Sequence, residues 1–258
     1  DDAGNSASAT HTWLVDTTDP AVSVTGPADP TNSQSADFTV TSSDGGSGLA
    51  STTCTLDGNA VTCGDSAAGL SAGSHSYVAT ATDDVGNSAS ATHTWLVDLT
   101  DPSVTIDSTP SDPDNDDTPT FTFSISDGES SVSAECAMNW DDYAACTSPF
   151  TSAALAEGNN IFKVRAVDAA GNIVGTQYSW SLDLTDPAVA ISDTPADPTN
   201  SDAADMTVTS SDGGSGLAST TCTIDGGATT CGDALAALAE GSHTYVATAT
   251  DAAGNSAS

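Results

Sequence analysis

The chain has almost no positive charge. Its 258 residues carry 2 Lys+Arg against 36 Asp+Glu, a formal net charge of −34. Lys163 and Arg165 are the two cations. Proteins that bind nucleic acid neutralise phosphates with clustered Lys and Arg, so this balance argues against nucleic-acid partners. Docking on an anionic membrane surface fails for the same reason. Long apolar runs are missing: no window approaches about 18 consecutive apolar residues, so no direct membrane insertion is expected. No basic and apolar leader opens the sequence at Asp1, so a secretion signal is expected to be removed or to lie upstream. Glu is scarce, with 32 Asp to 4 Glu. Glu favours helices, whereas Asp favours turns, caps and metal coordination. Aromatics make up 5% of the chain and hydrophobics 37%, many of them Ala. Low apolar content with high net charge is the composition of disorder, but the sequence is too regular for that reading.

What is present is repetition. Trp-Leu-Val-Asp occurs at 13–16 and 95–98, and Trp-Ser-Leu-Asp at 180–183, spacings of 82 and 85 residues. Each leads to a Thr-Asp-Pro ending at Pro20, Pro102 or Pro187. Gly-Asn recurs at Gly4/Asn5, Gly86/Asn87, Gly171/Asn172 and Gly254/Asn255. The six cysteines fall as one pair per period. Three modules of about 83 residues follow. The first and third are near copies: Ser-Ser-Asp-Gly-Gly-Ser-Gly-Leu-Ala-Ser-Thr-Thr-Cys-Thr stands at 42–55 and at 210–223. The middle module has diverged and holds both cations.

Within a module the hydrophobic period is two. Phe121, Phe123 and Ile125 alternate with Ser and Thr, as do Tyr77, Ala79 and Ala81, and Ala89, Ala91, His93, Trp95 and Val97. Asp-Gly, Gly-Gly, Gly-Asn and Asp-Pro turns separate the runs. Short strands at regular spacing predict antiparallel β-sandwiches. The one weak helical pattern, 234–240, reads as a loop or a single turn. A module of about 80 residues has a marginal core. Cys54 with Cys63, Cys136 with Cys146 and Cys222 with Cys231 lie 9 or 10 residues apart across turn chemistry, a plausible reach for local disulfides. Such paired cysteines imply an oxidising, extracellular location. The rival reading, metal thiolates, is weaker because one pair supplies two ligands rather than four.

Each module resembles the bacterial immunoglobulin-like (Ig-like) domains found in tandem in large surface and secreted proteins. The middle module carries the likeness best: Asp-Leu-Thr-Asp-Pro at 98–102, Thr-Phe-Thr-Phe at 120–123, Cys-Thr-Ser-Pro-Phe at 146–150, Val-Arg-Ala-Val-Asp-Ala-Ala-Gly-Asn at 164–172 and Tyr-Ser-Trp-Ser-Leu-Asp at 178–183. The outer modules depart from it after the second cysteine, at Cys63-Gly64-Asp65 and Cys231-Gly232-Asp233. The resemblance implies an all-β linear array of tandem Ig-like sandwiches. It implies a stalk, spacer or adhesive unit without specifying which. The expected segments are 1–17, the last strand of a preceding module; 18–98 and 99–183, two modules; and 184–258, a module missing its last strand.

That phase offset suggests a spare strand. Ser6, Ser8, Thr10, Thr12, Trp13 and Val15 repeat a strand that the third module lacks. The sequence is then either a window of a longer repeat chain, or a subunit whose first strand completes the third module of an identical neighbour by β-strand complementation. The expected partners are therefore identical subunits or flanking modules, joined head to tail.

Asp clusters at the module junctions. Asp16, Asp19, Asp98, Asp101, Asp183 and Asp186 lie in linkers, Asp1, Asp2, Asp83, Asp84, Asp168 and Asp251 in Gly-Asn turns, and a third cluster in the Asp-Pro loops at 29–32, 112–117 and 197–200. Ca2+ takes 6–8 oxygen ligands, so Asp16, Asp19, Asp83, Asp84, Asp98, Asp101, Asp168, Asp183 and Asp186 are candidate Ca2+ ligands at the junctions. Neither an EF-hand loop nor the Gly-rich nonapeptide of calcium β-rolls accompanies them. The bland readings are solvated turn caps and a surface adapted to high salt.

Catalysis has little support. His11 and His93 are repeat-equivalent, as are His75 and His243, which suggests structural roles, and no nucleophile elbow is present. The periodic Trp13, Trp95 and Trp180 read as core or junction packing. Trp140 breaks the period beside Asp141, Asp142 and Tyr143, and is the candidate carbohydrate contact. No Asn-x-Ser/Thr sequon occurs. The chain is expected to be an extracellular structural array with no enzymatic activity, part of a filament, surface fibre or adhesin stalk. The alternative is an adhesive module that binds through its loops.

Overall fold

A computed structural model describes all residues 1–258. Every regular element is a β-strand, and no helix is long and apolar enough to cross a membrane. Strands form because apolar and polar residues alternate, which buries one face of each strand. The first repeat contains β1 (Ala21–Thr25), β2 (Thr39–Ser43), β3 (Leu49–Leu56), β4 (Asn59–Val61), β5 (Gly73–Asp83) and β6 (Ser88–Val97). They form a two-stranded sheet, β1-β2, and a four-stranded sheet in the order β4-β3-β5-β6. The second repeat contains β7 (Ser103–Ser108), β8 (Thr120–Ser126), β9 (Val132–Met138), β10 (Ala144–Cys146), β11 (Phe150–Thr151), β12 (Gly158–Asp168) and β13 (Ile173–Leu182). Their sheets run β11-β8-β7 and β10-β9-β12-β13.

The third repeat contains β14 (Ala188–Ser192), β15 (Thr207–Ser211), β16 (Leu217–Ile224), β17 (Gly227–Thr229), β18 (Tyr245–Asp251) and β19 (Ser256–Ala257). Its sheets run β14-β15 and β17-β16-β18-β19. Residues 234–240 form a loop without a helical turn. By internal contacts the chain divides into two compact units. One is Asp1–Pro102 with Asp127–Val132 and Asp168–Ile173; the other is Ser103–Ser126, Ser133–Val167 and Val174–Ser258.

The cores of the first two repeats are small and aromatic. In the first repeat Tyr77, Ala79, Trp95 and Val97 from β5 and β6 meet Phe38 and Cys54, with Val22, Val24 and Val40 of the opposite sheet packed on them. The Phe38 and Tyr77 rings stack at 4.0 Å, and Trp95 lies 5.4 Å from Phe38. In the second repeat Phe121 stacks on Phe162 at 4.1 Å, with Trp180 at 5.4 Å. Burying one such side chain contributes roughly 1.5–3 kcal/mol relative to exposure.

All three expected disulfides are present: Cys54–Cys63, Cys136–Cys146 and Cys222–Cys231, with Cα–Cα distances of 5.2, 5.7 and 5.2 Å. Each ties β3, β9 or β16 to the short strand that follows it or to the residues just beyond. Closing a loop of this length stabilises the fold by roughly 2–3 kcal/mol on the chain-entropy model.

Candidate functional site

The buried polar residues are mostly carboxylates. Asp83, Asp98, Asp168, Asp183 and Asp251 are all buried. Asp83, Asp168 and Asp251 end β5, β12 and β18 and open Asp-x-x-Gly-Asn turns. In the first, Asp83 Oδ1 accepts from the Gly86 and Asn87 backbone N–H groups at 2.7 and 2.8 Å, and Oδ2 accepts from Asn87 Nδ2 at 2.7 Å. Asp168 and Asp251 hold the same set of bonds. The glycine takes a left-handed φ, 99° at Gly86 and Gly171 and 105° at Gly254, where a Cβ is strained. The motif is locally self-sufficient: exposed Asp1 to Asn5 forms it with no sheet around it. At Asp83 burial pushes the carboxyl pKa up, but the hydrogen bonds from Asn87, Val85 and Gly86 outweigh it and hold the group below its ordinary value.

The freed face of each carboxylate meets two others. Asp16, Asp44 and Asp83 bring ligand oxygens within 4.8 Å of one another; so do Asp98, Asp127 and Asp168, and Asp183, Asp212 and Asp251. Each triad has one linker Asp, one Ser-Asp-Gly loop Asp and one turn Asp. The linker residue is fixed by its own Asx turn, in which Oδ1 accepts from the N–H two residues on: Thr18 at 3.1 Å, Thr100 at 3.0 Å and Thr185 at 3.1 Å. The turn Asn then ties the linker down, with Asn172 Nδ2 donating to the Asp98 carbonyl at 3.0 Å and Asn255 Nδ2 to that of Asp183 at 2.8 Å.

The middle triad differs in one informative way. In the outer two, the second linker oxygen is occupied. The Ser47 N–H donates to Asp16 Oδ2 at 2.6 Å, and the Ser215 N–H donates to Asp183 Oδ2. Hydrogen bonds from Thr18 and Ser47 lower the pKa of Asp16, and those from Ser215 lower that of Asp183 despite desolvation. Gly46 and Gly214 permit this approach, because a Cβ at either would overlap the facing carboxylate. The corresponding residue of the middle loop is Glu129. There the Ser130 N–H turns to Asp127 instead, and Asp98 Oδ2 is buried with no hydrogen-bond partner. Asp98 is 0% exposed. A buried carboxylate oxygen with nothing to bond is costly unless a cation faces it.

No side-chain cation does. The guanidinium of Arg165 pairs with Glu135 at 2.6 Å and lies 4.2 Å from the Tyr143 ring centroid, while Lys163 stands 5.7 Å from the same ring. Two carboxylates 4.8 Å apart repel by about 3.5 kcal/mol at an effective dielectric of about 20. The donor set is all oxygen and anionic, with no thiolate or imidazole. It fits a hard divalent ion such as Ca2+ and does not suit the softer ions that prefer S and N ligands.

Of the candidate ligands named from sequence, Asp16, Asp83, Asp98, Asp168 and Asp183 lie in the triads; Asp251, a Gly-Asn turn residue not named as a ligand, joins the third. Asp19, Asp84, Asp101 and Asp186 lie outside them. Asp44, Asp127 and Asp212 complete the triads and were missed, although Ser-Asp-Gly recurs at 43–45, 126–128 and 211–213. Trp95 and Trp180 are buried, whereas Trp13 is 74% exposed and Trp140 93%. Ser6, Ser8, Thr10, Thr12, Trp13 and Val15 lie outside any strand.

Two of the four histidines are clamps. His75 Nδ1 lies 2.8 Å from Asp57 Oδ2 and its Nε2 lies 2.9 Å from the Ser71 carbonyl oxygen. His243 repeats this with Asp225 and the Ala239 carbonyl, both at 2.7 Å. Two acceptors call for two N–H donors, which favours the imidazolium. The pKa is raised accordingly, at His75 chiefly by the Ser71 carbonyl and at His243 chiefly by Asp225. The second repeat replaces the pair with neutral amides: Asn139 Nδ2 donates to Asn160 Oδ1 at 2.9 Å.

No protein-family model matches the sequence, and no curated protein matches it. Solved structures similar to the chain include fibronectin(III)-like modules of Clostridium thermocellum CbhA, at 14% identity over 62% of this chain and 93% of that one, with a TM-score of 0.41. They also include part of a 1.5-MDa bacterial ice-binding adhesin, at 18% identity over 96% of both chains and a TM-score of 0.41. A tetra-tandem repeat from the extending region of a large adhesion protein is similar at 20% identity, over 92% of this chain and 72% of that one, with a TM-score of 0.32. At such identities and scores these likenesses carry no weight on function.

Proposed function

We propose that the chain is a structural segment of an extracellular stalk, fibre or filament. Its modules, 18–98, 99–183 and 184–258, stack head to tail as a linear array, and Ca2+ bound at each Asp triad stiffens the joint. The observation that carries this reading is the recurrence of one partly buried triad in phase with the sheets, each triad holding a linker Asp against two loop Asp. A linker carboxylate held by a cation cannot swing freely, so the ion converts a hinge into a strut. The disulfides support an oxidising, extracellular setting. The role is mechanical rather than catalytic: both nitrogens of each clamped His are engaged, and no nucleophile is poised against either. A strand shared between neighbouring units is the proposed means of union where a repeat has an open edge.

Small-angle X-ray scattering of the chain tests the array. An extended, rigid particle in Ca2+ that becomes flexible in chelator supports it; identical scattering in both contradicts it. A second, adhesive reading rests on Trp140, which stands 93% exposed. A glycan titration that quenches Trp140 fluorescence, and that Trp140→Ala abolishes, would favour it.

A further inference from the structure

The loops that carry the second Asp of each triad differ in sequence and in bonding. Asp44-Gly45-Gly46-Ser47-Gly48 and Asp212-Gly213-Gly214-Ser215-Gly216 are the same five residues, whereas the middle repeat reads Asp127-Gly128-Glu129-Ser130-Ser131. In the outer loops glycine N–H groups serve the loop carboxylate. Asp44 Oδ2 accepts from Gly46 and Gly48 at 3.0 and 2.8 Å, and Asp212 Oδ2 from Gly214 and Gly216 at 3.0 and 2.7 Å. Gly48 and Gly216 hold left-handed φ values of 96° and 88°, which a residue with a Cβ rarely adopts. That twist frees the intervening serine N–H for the linker carboxylate, Asp16 or Asp183. Ser131 stands in the place of this glycine and stays out of the left-handed region. Asp127 Oδ2 then takes the Glu129 and Ser130 N–H groups, at 2.9 and 2.6 Å. The far end of the loop is held alike in all three repeats: the carbonyls of Gly48, Ser131 and Gly216 accept from the N–H groups of Asp84, Ala169 and Ala252 at 2.9, 2.8 and 2.8 Å. The difference is therefore confined to the loop.

That local change leaves the triads with unequal needs. In the middle one, Asp98 Oδ2 and Asp127 Oδ1 are both buried without a hydrogen-bond partner; the third triad has one such oxygen, Asp212 Oδ1, and the first has none. Affinity for a cation is a difference between the ion-free and ion-bound states. An N–H on the linker oxygen stabilises the ion-free state and sets its partial positive charge where a cation would stand. A bare buried oxygen does the reverse, because its lost hydration is recovered only when a cation arrives. The order of affinity that follows is middle, third, first.

Resting on the Ca2+ reading above, we infer that the triads are graded cation sites, and that Glu129 and Ser131 make the middle one the tightest and the Ca2+-responsive one. The two are positioning residues. They decide whether a backbone N–H or Ca2+ serves the linker carboxylate. Their effects belong together: Ser131 turns the Ser130 N–H toward Asp127, and a Cβ at the place of Glu129 excludes the outer arrangement, since at Gly46 or Gly214 it would overlap the linker carboxylate. The linkers therefore behave differently without the ion. Ser47 and Ser215 hold Asp16 and Asp183 by backbone N–H groups at any Ca2+ concentration. Asp98 has only its own Asx turn, from the Thr100 N–H, so stiffening by Ca2+ is concentrated at the linker that Asp98 opens.

The test titrates the intact chain with Ca2+ alone. One site should bind about tenfold or more tightly than the others, the scale of one hydrogen bond to a charged group. Amide exchange at Thr100 should slow at a lower Ca2+ concentration than at Thr18 or Thr185. The double variant Glu129→Gly with Ser131→Gly gives the middle loop the outer sequence, which already folds in two repeats. It should weaken the tight site about tenfold or more and slow Thr100 exchange in chelator. The converse pair, Gly214→Glu with Gly216→Ser, should tighten the third site. Three sites of equal affinity, or a double variant that binds and exchanges as the parent does, would overturn the inference and leave Ca2+-dependent scattering standing. Graded binding with scattering that ignores Ca2+ would support the grading and overturn the cation-stiffened array. Heats no larger than dilution would overturn both.

Discussion

The effect of Asp98→Asn on stability should depend on calcium. Asp98 Oδ1 accepts from the Thr100 N–H at 3.0 Å, and asparagine keeps that bond. Its Oδ2 is the buried orphan, and the amide nitrogen that replaces it can donate to Asp127 or Asp168. Asp98 takes part in two of the three repulsive pairs of its triad, about 7 kcal/mol gross at an effective dielectric of about 20. Salt and relaxation reduce that figure, but its direction is fixed: in chelator the variant melts above the parent. In Ca2+ that advantage shrinks. At a concentration about 100 times Kd the parent gains about 2.7 kcal/mol, whereas a variant with about 100-fold weaker affinity gains about 0.4 kcal/mol. For a repeat of this size the difference of about 2.3 kcal/mol corresponds to roughly 9–18 °C in Tm. Calorimetry with and without Ca2+, with amide exchange at 168–172 to locate the effect, measures it. A variant less stable than the parent in both conditions, with an unchanged Ca2+ response, would refute the reasoning and reduce Asp98 to a turn cap.

Three further predictions test the fold. The His75 pKa is raised, so the clamp's contribution is complete below the ordinary histidine value of about 6.5 and is lost as pH rises through the higher folded value. The Asp57 pKa is lowered, with the His75 hydrogen bond overcoming desolvation, so its contribution is present above about 3.9 and is lost as pH falls through the folded value. His75→Gln should flatten the upper limb in amide exchange at 71–78, while the Asn139–Asn160 region shows no such limb in the parent. Trp180→Ala should cost the second repeat about 3–5 kcal/mol by chemical denaturation; a loss under 1 kcal/mol would show that the core collapses around the gap. Replacing Cys136 and Cys146 together by Ala should cost that repeat roughly 2–3 kcal/mol, and an unchanged midpoint would contradict it.

Period-two alternation made the strands legible, because a sheet residue's face is set by its parity alone: Phe121 and Phe123, and Tyr77 and Ala79, point inward as the pattern requires. The cysteine pairs were legible because a hairpin closes them locally. The triads were half legible. Linker and turn Asp stood out because they recur beside Trp and Gly-Asn. Asp44, Asp127 and Asp212 did not, because their partners lie about 30 to 40 residues away in sequence and only the packed sheets bring them together. The Asp98 orphan oxygen depends on one loop residue, Glu129 in place of a glycine, whose effect appears only once the facing carboxylate is located. Trp13 shows the opposite limit: its sequence is identical to that of β6, yet it is exposed, because burial requires a partner strand as well as an alternating sequence.

The most direct measurement is isothermal titration calorimetry of the intact chain with Ca2+, repeated for Asp44→Asn, Asp127→Asn and Asp212→Asn. Three sites are predicted, one lost or weakened with each substitution. Heats no larger than dilution, or binding that none of the three substitutions alters, would contradict the cation-stiffened array.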